Sequence, residues 1–171
     1  MGERLKDRIF VEIFPHLSQG FLADRRHRLG LTKPPTDAEL REVFEATLTL
    51  LYRILFLLYA EARDLLPVRE SSYHESSFKR MKEQIAEGAG IAEGQVADHL
   101  TKAYKTDETK LYDRLAKLFW YMDHGDSIRN LPCYHGGLFI TEPDKQSDAR
   151  EQRIARFLLE HKVPDRCLAI A

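Results

Sequence analysis

Leu50-Leu51-Tyr52-Arg53-Ile54-Leu55-Phe56-Leu57-Leu58-Tyr59 carries a single charge, Arg53, in an otherwise apolar run. No turn of a helix built from it would offer a polar face, as expected of a central helix contacted on several sides. The apolar stripe that feeds it begins at Leu40 and widens through Val43, Phe44, Thr47 and Leu48. Upstream, Thr36-Asp37-Ala38-Glu39 has the spacing of a capping box, in which the threonine hydroxyl accepts the N–H three residues on and the glutamate reaches back. A long helix is therefore predicted to start at Thr36 and to close at Leu65-Leu66-Pro67. The apolar stretch from Leu48 to Ala60 is interrupted by Arg53 and is shorter than the ~20 residues of a membrane span, so it is read as a core helix with no membrane partner.

Outward from this helix, other elements repeat the helical period. Leu5, Ile9, Ile13 and Leu17 predict an amphipathic helix from Arg4 toward Leu17, bent near Pro15 and ended by Gly20. Phe78, Met81 and Ile85 mark a second, stopped by Gly88 and Gly90; a short helical segment follows from Gln95 to Ala103. Leu111, Leu115, Leu118, Phe119 and Met122 mark another, ending before Gly125. Ser147 is placed to cap a later helix whose face is Ile154, Phe157, Leu158 and His161, and Pro164-Asp165 opens one more element. Between them, residues 125–146 hold Pro132, Gly136, Gly137 and Pro143 and predict a long ordered loop, with a short strand or turn around Tyr134 to Ile140. The expected architecture is all-α, an irregular bundle around the central helix, with residues 1–171 forming one helical domain.

Composition narrows the function classes. With 26 Lys and Arg against 27 Asp and Glu, the net charge is -1, so no global field recruits nucleic acid or membrane. The two cysteines, Cys133 and Cys167, have no C-x-x-C spacing, and the N-terminus Met1-Gly2-Glu3-Arg4-Leu5-Lys6 lacks a signal-peptide pattern. A cytoplasmic location is expected.

Several strings approach a catalytic motif and stop short. His74-Glu75-Ser76-Ser77-Phe78 begins like a zinc-protease helix but has Phe78 where the second histidine is required. Gly88 to Gly94 follows a helix, whereas a phosphate-binding glycine loop follows a strand. Ser127 lacks a nucleophile elbow, and Asp144, Glu151 and Arg153 lack the lysine of a metal-dependent nuclease. No catalytic residue, metal site or cofactor is assigned to this chain. A small enzyme using Asp126, Cys133 or His135 stays open as an alternative, because a thiol two residues from a histidine can be activated by it.

Two features remain as candidate functional residues. Arg25, Arg26, Arg28 and Lys33 form a local basic cluster, read as a connecting loop, whose guanidinium forks match phosphate oxygens; they are the candidate DNA contacts. Tyr134-His135-Gly136-Gly137-Leu138-Phe139 pairs glycines between aromatics, which suggests a tight backbone turn anchored by rings. Arg53 and Glu61 lie in or beside the most apolar helix, where an internal ion pair is expected.

The string Leu51-Tyr52-Arg53-Ile54-Leu55-Phe56-Leu57-Leu58-Tyr59-Ala60-Glu61-Ala62-Arg63-Asp64-Leu65-Leu66-Pro67 resembles one found in type IIG restriction-modification enzymes and related phage-defence adenine-N6 DNA methyltransferases. Three further blocks agree in order: Arg8-Ile9-Phe10 through Gly20-Phe21, Leu111-Tyr112 through Tyr134 to Phe139, and Val163-Pro164-Asp165-Arg166-Cys167-Leu168. His135 departs from the asparagine that such proteins often carry between the tyrosine and the glycines. The resemblance implies the helical region that precedes the methyltransferase core, commonly with a nuclease domain upstream and a target-recognition domain last. S-adenosylmethionine and Mg²⁺ are then implied for the parent enzyme only. The core's Asn-Pro-Pro-Tyr loop is approached only by Lys33-Pro34-Pro35-Thr36, which lacks the asparagine and the aromatic. The expected function is a non-catalytic scaffold or connector whose partners are the methyltransferase and nuclease domains of the parent chain, with DNA contact at the basic cluster. The alternative is a free-standing helical protein-interaction domain.

Overall fold

A computed structural model describes residues 7–90, 96–134 and 136–171. It is all-α: among the described residues there are eight α-helices and no strand, only one isolated antiparallel bridge between Asp126 and Leu131. The helices are α1 (Phe14–His27), α2 (Asp37–Ala62), α3 (Ser71–His74), α4 (Phe78–Ala89), α5 (Val96–Ala103), α6 (Lys110–His124), α7 (Ala149–Glu160) and α8 (Asp165–Ile170).

The central helix forms as its sequence dictates. Thr36 takes the N–H of Glu39, and the Glu39 carboxylate takes the N–H of Thr36 at 2.7 Å, so the capping box is complete. From there α2 runs 26 residues, further than its most apolar stretch. It is long and apolar enough to cross a membrane by length and composition, a correction to the length read from Leu48 to Ala60. In this fold α1, α4, α7 and the loop turn at 137–139 pack around it. Leu50, Leu57 and Ala60 are buried there together with Leu17 and Phe21 of α1, Met81 of α4 and Leu115, Leu118 and Met122 of α6.

The first helix overruns its expected end. A π-helical turn, Ile9–Ile13, leads without a break into α1, and Pro15, the second residue of α1, has no N–H to return to that preceding turn. Helix α1 then continues through Gly20 to His27. Gly20 is a contact point instead of a stop: a Cβ there would stand 2.6 Å from Cγ1 of Val163, just ahead of α8. Arg25 and Arg26 therefore lie in the last turn of α1 and not in a loop. The expected residues Arg4 and Leu5, the start at Gln95 and the glycine string 91–94 lie outside the described residues.

Helix α6 ends at His124, and Gly125 at φ +74 fits the position because a Cβ would meet the Cys133 nitrogen at 3.1 Å. Helix α7 is capped by Asp148, one residue past Ser147; its carboxylate takes the N–H groups of Arg150 and Glu151, and a negative charge suits a helix N-terminus better than a hydroxyl. Between α6 and α7 the chain is ordered by two 3₁₀ turns, Gly137–Phe139 and Pro143–Lys145.

Candidate functional site

Arg53 organises the long loop. Its Cα sits in the middle of α2, the side chain is 4% exposed, and the guanidinium donates from Nε to the Leu138 carbonyl at 2.7 Å and from Nη2 to the Ile140 carbonyl at 2.9 Å. The ring of Phe119 lies 5.2 Å from its carbon, so neutral dipoles and a π face surround the charge. The expected ion pair is not made: among the described residues no carboxylate is within salt-bridge reach of Arg53. Carbonyl oxygens substitute because they too accept from a guanidinium, and burial pulls its pKa down to about 10.

The other charge near this helix finds partners as well, without a cation. Glu61 accepts from the Tyr73 hydroxyl at 2.8 Å and from the backbone N–H groups of Phe78 and Lys79 at 2.8 and 2.7 Å. Its carboxylate thus satisfies the otherwise orphan donors at the start of α4. Burial, reinforced by Glu61, holds the Tyr73 phenol far above its usual range.

Aromatic rings complete the loop's seat. Phe139 packs edge-on against Phe56 at 5.1 Å and beside Phe119 at 5.8 Å, and Tyr134 meets Phe56 at 5.5 Å. Asp123 at the end of α6 accepts from the Thr141 N–H at 2.8 Å and its hydroxyl at 2.6 Å. The paired glycines are not the reason for the turn: neither has positive φ, and a Cβ on Gly136 would meet open space. The turn is imposed by Arg53, the rings and Asp123, of which the sequence suggested only the rings. His135 lies outside the described residues.

The basic cluster divides in two. Arg25 is 8% exposed, ion-paired with Glu39 and donating to the Lys33 carbonyl at 3.0 Å, so it joins α1 to the start of α2. Arg28 forks onto Asp24 at 2.6 and 2.8 Å and also donates to the Glu160 carbonyl. Asp24 takes the Lys162 N–H at 2.9 Å, which ties α1 to the exit of α7. Arg26 and Lys33 are exposed. The Thr36 N–H and the Arg25 guanidinium lower the Glu39 carboxyl to about 2.

Asp24 and Asp165 were not singled out by the sequence. Asp165 opens α8, is 3% exposed and accepts from the Leu111 N–H at 2.8 Å, fastening α8 to α6, while burial raises its pKa. The i,i+4 spacing of Asp24 and Arg28 could have disclosed the first pair; nothing local announces the second. Elsewhere, Asp126 is bound to Arg129 and Asp144 to Arg156, the Cys133 thiol donates to the Asp123 carbonyl at 2.6 Å, and the His74 ring lies against the Val68 carbonyl at 3.3 Å. No cluster of three or more metal-ligating side chains occurs among the described residues.

Several cavities adjoin these elements, and three of them bear on Arg53 and α2. One of about 90 Å³ lies between Arg53, α6 and α7, and one of about 360 Å³ lies on the other side of Arg53, beside Tyr52, Arg150 and Glu151. A third, of about 400 Å³, is walled mostly by apolar side chains of α1, α2, α4, α5 and α8. Compared with protein-family models, with curated proteins and with solved structures, the chain gives no match.

Proposed function

We propose that this chain is a helical scaffold of a restriction-modification DNA methyltransferase, one that orders neighbouring catalytic domains and meets DNA through Arg26 and Lys33. The observation that supports it is how the four blocks carrying the family resemblance interlock. Arg53 of the second block holds the Leu138 carbonyl of the third at 2.7 Å. Gly20 of the first lies against Val163 of the last, Phe21 packs edge-on with Tyr112 at 6.1 Å, and the Leu111 N–H reaches Asp165 at 2.8 Å. Motifs that resemble a family region are thus the residues that join distant segments, and the buried charges among them grip backbone groups. Such use suits a part whose task is to keep its own shape.

A second role, as a protein-interaction domain, draws on the apolar cavity of about 400 Å³ lined by Ile54, Leu58, Met81, Ile85 and Leu100.

The test is methyl transfer from labelled S-adenosylmethionine to adenine N6 in duplex DNA, using the full-length product of the reading frame that contains this segment. The scaffold role expects incorporation by the intact protein and reduced incorporation when Arg53 is replaced by methionine. No incorporation by the intact protein overturns it.

A further inference from the structure

Arg53 is secured on one side only. Its Nε and Nη2 each donate to a carbonyl, while Nη1 has no acceptor among the described residues. No fully enclosed side-chain nitrogen or oxygen among them lacks a partner, so Nη1 must open onto accessible space. Two cavities border the residue. The larger also carries Glu45, Arg150 and Glu151; Arg150 is bound to Glu45 at 3.2 Å, which leaves the Glu151 carboxylate to repel an anion. The smaller, about 90 Å³, has Arg53 as its only charged lining residue.

The rest of that smaller cavity is apolar or already committed. Tyr112 donates its hydroxyl to the Leu158 carbonyl at 2.8 Å, and Thr141 donates its hydroxyl to Asp123 at 2.6 Å. Ala116, Phe119 and Leu158 form walls, and Trp120 and Leu159, 46% and 53% exposed, stand at the rim. The Trp120 ring is held by stacking on His124 at 4.5 Å. A buried cation beneath apolar walls, with an open apolar rim, matches an anion that carries a hydrocarbon body. A flat carboxylate pairs with a guanidinium edge. The volume admits a few water-sized groups, enough for one carboxylate and short of a phosphate ester with its substituent.

We infer that the cavity between Arg53, α6 and α7 binds a small aliphatic carboxylate, its oxygens on the Arg53 guanidinium and its hydrocarbon end between Trp120 and Leu159. This site is independent of the scaffold role, since it needs neither DNA nor another domain.

Trp120 is the only tryptophan of the chain and therefore reports on the site. The full chain is titrated with butyrate, butyramide, chloride and inorganic phosphate at constant ionic strength while tryptophan emission is followed. The expected result is a saturable change with butyrate alone, its affinity lowered at least about tenfold in Ala116→Leu, which fills the cavity from α6. No saturable change with butyrate, an equal change with the neutral amide, or an equal change with chloride or phosphate overturns the site. So does an unaltered butyrate affinity in folded Ala116→Leu. Loss of methyl transfer in the full-length protein bears only on the scaffold role.

Discussion

Gly20 and Val163 approach so closely that a methyl group on the glycine would stand 2.6 Å from Cγ1 of the valine. Helix propensity alone favours alanine at a mid-helix glycine by about 1 kcal/mol. Steric overlap in a packed interior costs about 1–3 kcal/mol, and the neighbour here is a branched side chain that is fully buried. Gly20→Ala is therefore expected to lower stability by about 1–2 kcal/mol, read as a fall in melting temperature. Val163→Ala in the same molecule should recover part of that loss, giving a favourable coupling in a double-mutant cycle.

Removing the guanidinium of Arg53 leaves two carbonyl oxygens without their donors. Arg53→Met keeps much of the apolar stem, so the cost is chiefly polar: about 2–4 kcal/mol by urea unfolding. Hydrogen exchange should quicken at the amides of 138–141 while the amides of α6 stay protected. Uniform loss of protection in both would mean that Arg53 supports the whole fold and not this loop.

Acid should act on the junction of α1 and α2. Glu39 is lowered from 4.5 to about 2 in the folded protein, so it contributes stability that is present above about 4.5 and disappears as pH falls toward 2. The melting temperature of Glu39→Gln is expected to lie below that of the parent at neutral pH, with the gap closing over that window. A gap independent of pH would assign the effect to the hydrogen bonds of the cap instead of the charge.

His161 titrates in a separate window. Burial, stronger than the favourable Phe157 carbonyl, pulls its pKa below the ordinary 6.5. The unfolded chain then takes up a proton more readily, so stability falls as pH drops through 6.5. Its ring stacks on Phe157 at 3.9 Å, and His161→Phe should keep a ring there while flattening the pH dependence of the melting temperature near 6 to 7.

DNA contact makes a distinct prediction for each arginine. Arg26→Ala with Lys33→Ala should weaken binding to a short duplex and reduce the salt slope by up to about 2, leaving the melting temperature unchanged. Arg25→Ala should instead lower the melting temperature, because it breaks the pair with Glu39 and the bond to the Lys33 carbonyl. Binding that is indifferent to Arg26 and Lys33 would move the DNA face elsewhere.

Periodic and local signals were legible in the sequence. Thr36 and Glu39 disclosed the start of α2, Gly125 the end of α6, and the run from Leu50 to Tyr59 the centre of an all-α bundle. What escaped depended on residues far apart in the chain. Gly20 looks like a helix stop until Val163 is placed beside it. Arg53 calls for an acid until two carbonyls from a loop 85 and 87 residues away supply acceptors instead. The same distance hid the purpose of Arg25 and Arg28, which a linear string presents as a basic patch and the fold uses as fasteners.

Those fasteners also set how small the chain can be made. Asp24 grips the Lys162 N–H, Arg28 the Glu160 carbonyl, and Gly20 lies against Val163, so the first helix meets α2 early but completes its contacts only once residues 160–163 have been synthesised. A polypeptide cut between Gly125 and Leu138 would strand the Arg53 guanidinium in an apolar interior, and one cut between Ile140 and Lys162 would take the Lys162 N–H from Asp24. Ribosomal emergence of these residues therefore sets when the fold can close: the contacts of α1 with residues 160–163 wait until that region has cleared the exit tunnel.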